Sequence, residues 1–201
     1  HPLVQKTKIE LIRLDKLSSI SMRERQKYSS MFLPISVEPM LRKRAFSFMN
    51  EMIMLLENNN HSIQFKYNRC HIEMYGQFTE INLRQKFFRK RTKNSQGYTS
   101  ETFEKSDKLE FQIGSHARKG WIDKKTKKLE DYLPIIYSYI EKDSKIFFEL
   151  RKRQKIEAQL REQQKEIEAQ KQKKIELENI KLKKLLFNKF FILLAFFNFS
   201  S

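Results

Sequence analysis

The chain has 201 residues, with 41 Lys plus Arg against 24 Asp plus Glu, for a net charge of +17. Four Gly and four Pro exclude collagen-like and Pro-rich disordered chains, and the single cysteine, Cys70, excludes a disulfide framework or a Cys-rich zinc module. A positive excess of this size favours polyanionic partners, nucleic acid or a membrane surface, without choosing between them.

The excess is uneven. Residues 1–50 are net +6, 51–100 net +4 and 151–201 net +7, whereas 101–150 carry ten charges of each sign. That distribution suggests a folded middle with basic flanks. No charged segment, apolar stretch and small-residue cleavage site stand near the start, so a cytoplasmic, reducing setting is expected, in keeping with a lone thiol.

Apolar residues from Leu3 to Leu17 predict a short helix, and Ser18–Ser30 reads as a polar, basic loop. Met31–Val37 reads as a strand that Pro34 places at an edge or a bulge. Pro39 suits the first turn of a helix on which Leu41, Ala45, Phe48, Met49, Met52, Ile53 and Leu56 share one face, ending at Asn58–Asn60. The period then changes to two. Ser62–Tyr67 and Cys70–Tyr75 predict a hairpin turning at Asn68-Arg69, and Phe78–Phe88 a third strand after Gly76. A loop is expected over about 91–102, a strand over Lys108–Ile113, a turn over Gly114–Gly120 and a short element at Trp121-Ile122.

From about Lys125 a long helix is predicted, with Leu129, Leu133, Ile136, Ile140 and Phe147 on its seam and Pro134 in its first turns. Beyond Leu150 the apolar residues thin out, and Gln163 and Gln170 interrupt the heptad seam of Ile156, Leu160 and Ile167. The expected fold is therefore α+β, a small mostly antiparallel sheet packed with one or two helices and followed by a long charged α-helix. Its expected organisation is an N-terminal helix and basic loop (1–30), an α+β core (31–150), a charged helical arm (151–184) and an apolar tail (185–201). The eight apolar residues Phe190–Phe197 of that tail fall short of a membrane span, which needs about 20. Three readings of the tail stay open: a hydrophobic anchor, a helix docked on the core, and out-of-frame translation.

Catalytic and metal motifs are missing from the sequence: there is no HExxH, CxxC, GxxxxGK[ST] or GxGxxG. Cys70 and His71 are neighbours on one strand and face opposite ways, which rules against a nucleophile pair. His61 and His116 fall in turn-like stretches without ligand spacing. Asp123, Glu130 and Asp131 read as charges that stabilise the start of the long helix. No catalytic residue, cofactor or metal is expected.

Basic clusters carry the functional reading. Arg84, Lys86, Arg89, Lys90, Arg91 and Lys93 hold six cations in ten residues, with Phe87 and Phe88 among them; Arg42, Lys43 and Arg44 form a second cluster. Lys and Arg would contact phosphates, and a ring such as Phe87 would stack on unpaired bases. Against this, such charge runs also occur as merely solvated surface, and the rings can pack inward.

HPLV, FLPISVEPMLRKRAFSFMNEMIMLLE, KLEFQI and GWIDKKTKKLEDYLPIIYSYI, followed by a Lys/Glu/Gln-rich helix, resemble an uncharacterised family of bacterial proteins across about residues 1–180. The resemblance implies a helix-turn-helix-like segment upstream of His1, so that this chain would be a truncated copy; no residue here takes that role. The resulting expectation is a non-enzymatic bacterial protein that associates with nucleic acid, contacting phosphates through its basic segments, with DNA-binding as its class and the type of nucleic acid left open. The rival expectations are a protein–protein scaffold or weak self-association through residues 129–180, and a membrane-surface protein using the tail, a membrane partner being the less expected.

Overall fold

Pro2 fills the first turn of helix α1 (Pro2–Asp15), where its missing N–H costs nothing, and His1 Nδ1 caps the turn by accepting from the Leu3 N–H at 3.2 Å in the computed structural model of the chain. The structure describes residues 1–93, 95, 97–114 and 118–198, with side chains through Lys189. The expectations for His116 and Phe199–Ser201 lie outside the described residues. The chain divides into two units, 1–148 and 149–201.

Val4, Thr7, Leu11 and Leu14 form the buried stripe of α1. Thr7 Oγ1 donates to the Leu3 carbonyl at 2.8 Å and accepts from the Leu33 N–H at 3.1 Å, tying the helix to the segment that enters the sheet. The expected loop at 18–30 is instead largely a second helix, α2 (Met22–Met31). Its start is a capping box: Ser21 Oγ accepts from the Glu24 N–H at 3.2 Å while the Glu24 carboxylate accepts from the Ser21 N–H. α2 buries no residue fully, so it lacks the apolar stripe by which helices are usually recognised.

The predicted strand at 31–37 contracts to β1 (Ile35–Ser36), which pairs parallel with β4 (Gln77–Lys93). Helix α3 (Pro39–Asn58) buries Leu41, Ala45, Phe48, Met49, Met52, Ile53 and Leu56, the face its spacing predicts. Strands β2 (Ser62–Lys66), β3 (Arg69–Met74), β4, β5 (Thr99–Ile113) and β6 (Lys119–Ile122) lie in that order, each antiparallel to the next. The β2–β3 turn is Tyr67-Asn68, one residue earlier than expected; both have positive φ, 54° and 57°, as a tight hairpin requires. Tyr75-Gly76, at 53° and 69°, makes the next turn.

One face of the sheet carries Cys70, Ile72, Met74, Ile81, Leu83, Leu109, Phe111, Ile113 and Trp121 into a single core with α1, α3 and the early residues of the last helix. His71, Asn82, Arg84, Glu110 and Gln112 alternate onto the opposite face. The molecule is thus α+β, with a six-stranded, mostly antiparallel sheet.

The last helix, α4 (Leu133–Asn198), begins later than predicted, after a 3-10 turn at Glu130–Tyr132, with Pro134 in its first turn. Ile136 and Ile140 are buried, whereas Phe147 on the same predicted seam stays partly exposed. The three acidic residues before α4 do different work from that expected. Asp123 is 1% exposed and accepts four hydrogen bonds: from Arg44 at 2.9 and 3.1 Å, from the Leu109 N–H at 2.9 Å and from the Leu129 N–H at 2.7 Å. Glu130 accepts from the other edge of Arg44 at 2.9 and 2.7 Å, and Asp131 accepts from the Lys128 N–H. Burial pushes the Asp123 carboxyl up, but the Arg44 guanidinium and the two backbone donors outweigh it and hold the group below the usual carboxylate range.

In the second unit, every described side chain from Glu149 to Lys189 is exposed. Among the described residues, no helix is long and apolar enough to cross a membrane.

Candidate nucleic-acid interface

The loop expected over 91–102 is mostly strand. β4 runs on to Lys93 and β5 starts at Thr99, so the two form a long antiparallel hairpin. Up to Gln85 and from Leu109 these strands belong to the sheet. The register shifts between Gln85 and Phe87, and from there outward every residue of Phe87–Lys93 and Thr99–Lys105 is exposed. Thr92, Thr99, Thr102, Phe87, Phe88 and Phe103 suit this ribbon, because β-branched and aromatic side chains favour extended backbone.

Alternation divides the predicted cluster between two faces. The pairs Phe87–Lys105, Arg89–Phe103, Arg91–Glu101 and Lys93–Thr99 form one face. Phe88–Glu104, Lys90–Thr102 and Thr92–Ser100 form the other, which continues inward through Lys86 and Arg84. The first face holds four cations, Arg89, Arg91, Lys93 and Lys105, against one ribbon carboxylate, Glu101. Arg89 and Arg91 both donate to that carboxylate, Arg91 at 3.1 Å, so one negative charge is shared between two guanidinium groups. Lys105 reaches Glu38 at the start of α3. Phe87 and Phe103 are 42% and 65% exposed, too wet to be core residues.

The second face is closer to neutral. Glu110 accepts from Arg84 at 2.8 Å and lies 3.6 Å from Lys86, and Lys90 donates to Glu104 at 2.9 Å. Lys108 sits over the Phe88 ring at 5.3 Å. Surface pairs of this kind contribute about 0–1 kcal/mol each, so a phosphate oxygen can replace a carboxylate on either face at little cost.

The second predicted cluster is dispersed by helical geometry. Arg42 makes a two-pronged pair with Asp15 and borders a groove of about 350 Å³ that also takes in Gln85, Phe87 and Lys105, so it adjoins the base of the ribbon. Lys43 is exposed on a different side of α3. Arg44 is held by Asp123 and Glu130 and stands apart from the ribbon. Phe103 and Lys105 join the face without having been singled out in the sequence; the alternation Thr99-Ser-Glu-Thr-Phe-Glu-Lys105 was the available signal.

Cys70 is buried, and burial pushes its thiol up, so the group is a packed apolar side chain rather than a nucleophile. His61 packs edge-on against Tyr75 at 5.1 Å. Among the described residues, no group of three or more His, Cys, Asp or Glu could hold a metal ion. No family model, curated protein or solved structure matches the chain.

Proposed function

We propose that the chain is a non-enzymatic nucleic-acid-binding protein whose contact element is the β4–β5 ribbon. One observation carries the reading: a two-stranded ribbon, uncovered on both sides, sets Arg89, Arg91, Lys93 and Lys105 beside Phe87 and Phe103 on one face, against a single ribbon carboxylate. A ribbon of two strands has the width that the major groove of a duplex admits. Its cations gain free energy by releasing counterions from phosphates, and its rings offer stacking surface to unpaired bases. Arg42, at the foot of the same face, is neutralised by Asp15 and adds little to the basic track. Arg84, Lys86 and Lys90 lie on the reverse side and supply general positive potential.

The test is binding of labelled duplex and single-stranded oligonucleotides across a salt series, for the wild-type chain and for R89A/R91A/K93A. Each phosphate contact contributes about 0.9 to the slope of log K against log salt on duplex, so the triple variant should lose roughly 2–3 units of slope and at least about tenfold in affinity. All three side chains are exposed, so the variant should unfold at the wild-type urea midpoint. No binding to either oligonucleotide at low salt would overturn the reading, as would a variant that binds like wild type.

A further inference from the structure

Phe87 stands where the ribbon leaves the sheet, 42% exposed, and forms one wall of the groove of about 350 Å³ that Arg42 borders. Leu14, Ile20, Val37 and Pro39 contribute to its apolar lining. Its two cations face carboxylates of the same lining: Arg42 pairs with Asp15, and Lys105 with Glu38. The groove is therefore apolar with a nearly neutral rim, and its volume lies at the low end of the about 300–1,000 Å³ of small-ligand sites. Such a site suits a flat, uncharged group better than a phosphate.

Phe103 carries the ring surface outward. It is 65% exposed and is the diagonal neighbour of Phe87 on the same face, since Phe87 pairs with Lys105 and Arg89 with Phe103. Among the described residues neither ring meets another ring or lies beneath a cation, whereas Phe88 on the reverse face lies under Lys108 at 5.3 Å. Arg89, Arg91 and Lys93 run on along the face at two-residue steps of about 6.8 Å. Open rings beside an apolar groove, with a row of cations leading away from them, match a strand whose bases are unpaired. Its backbone follows the cations while its bases turn onto the rings. A duplex cannot use the rings without first unstacking a base, which costs free energy before any contact is gained.

We infer that the ribbon takes single-stranded nucleic acid in preference to duplex, with one unpaired base stacked on Phe87 in the groove and a neighbouring base on Phe103. The inference rests on the nucleic-acid reading of the ribbon and adds the strand class and the place of a base. Fluorescence anisotropy of the full chain with a labelled oligothymidine, and with a duplex of equal length at the same salt, tests it. The single strand should bind at least about fivefold tighter, and F87A and F103A should each weaken it at least about fivefold, the lower end of what a stacked base contributes. The rings touch no phosphate in this arrangement, so both variants should keep the wild-type salt slope, which R89A/R91A/K93A lowers. Duplex binding should be the same in both variants as in wild type. Phe103 is the more exposed ring, so F103A should keep the wild-type urea midpoint and reports stacking even where F87A loses stability. Duplex binding as tight as single-strand binding, or single-strand binding unchanged in F103A, overturns the inference and leaves the nucleic-acid reading in place. Binding of neither oligonucleotide overturns both.

Discussion

Replacing Asp123 with Ala removes a carboxylate that is 1% exposed and accepts hydrogen bonds from three parts of the chain. Two of the donors, the N–H groups of Leu109 and Leu129, are buried and would be orphaned, at about 1–3 kcal/mol each. Arg44 is one-third exposed and keeps Glu130, so its loss adds little. The total, about 2–6 kcal/mol, brackets the cost of about 3–5 kcal/mol for removing one partner of a buried pair. With a urea m-value of about 2 kcal/mol/M, the midpoint should fall by roughly 1–3 M at unchanged m. The only tryptophan, Trp121, is buried two residues away and reports the transition by fluorescence. The pH dependence supplies a second check. The folded carboxyl titrates below its ordinary value of 3.8, so its stabilisation is complete above that pH and fades as pH falls through the folded value. Asn at the same position cannot ionise, so the midpoint gap between wild type and D123N should be constant near neutrality and close on acidification below 3.8. A D123A midpoint shift under about 0.5 M, or a gap that widens in acid, would refute the claim that Asp123 anchors β5, β6 and the start of α4.

Glu101→Gln should leave stability unchanged while freeing both Arg89 and Arg91, so oligonucleotide affinity should rise several-fold with a steeper salt slope; unchanged binding would separate these arginines from any phosphate contact. Tyr67 holds a positive φ of 54° with its side chain almost wholly in solvent, so Tyr67→Gly should relieve strain by about 0.5–1 kcal/mol and raise the thermal midpoint by about 1–4 °C in a melting curve. The Cys70 thiol should resist Ellman's reagent in the native protein and react stoichiometrically in urea, and rapid native labelling would contradict its burial among Ile72 and Ile81.

The face of α3 was legible because helical geometry places residues three and four apart on one side, and seven apolar residues repeat at that interval. The opposed directions of Cys70 and His71 followed from the period of two. α2 was missed because its mark is a cap, Ser21 with Glu24, rather than an apolar stripe. The outer part of the ribbon, over about 91–102, reads as loop because its residues are polar and charged on both faces, and only pairing between strands reveals that both sides are wet. The six cations of 84–93 were visible as a run, but their sorting into two faces depends on strand alternation together with the carboxylates that β5 places opposite them.

Sequence alone determined the quantities that local geometry controls: the fold class, the periodic faces of α1 and α3, and the total and placement of the +17 charge. Tertiary structure decided which of those charges remain available. Arg44 and Asp123 are 79 positions apart, and no periodicity within either segment reports that they meet. Arg89 and Arg91, equally basic in the sequence, share one exposed carboxylate, whereas Arg44 is held by two, one of them buried. Coulomb energy depends on distance and on the surrounding dielectric, and both are set only when the chain has folded.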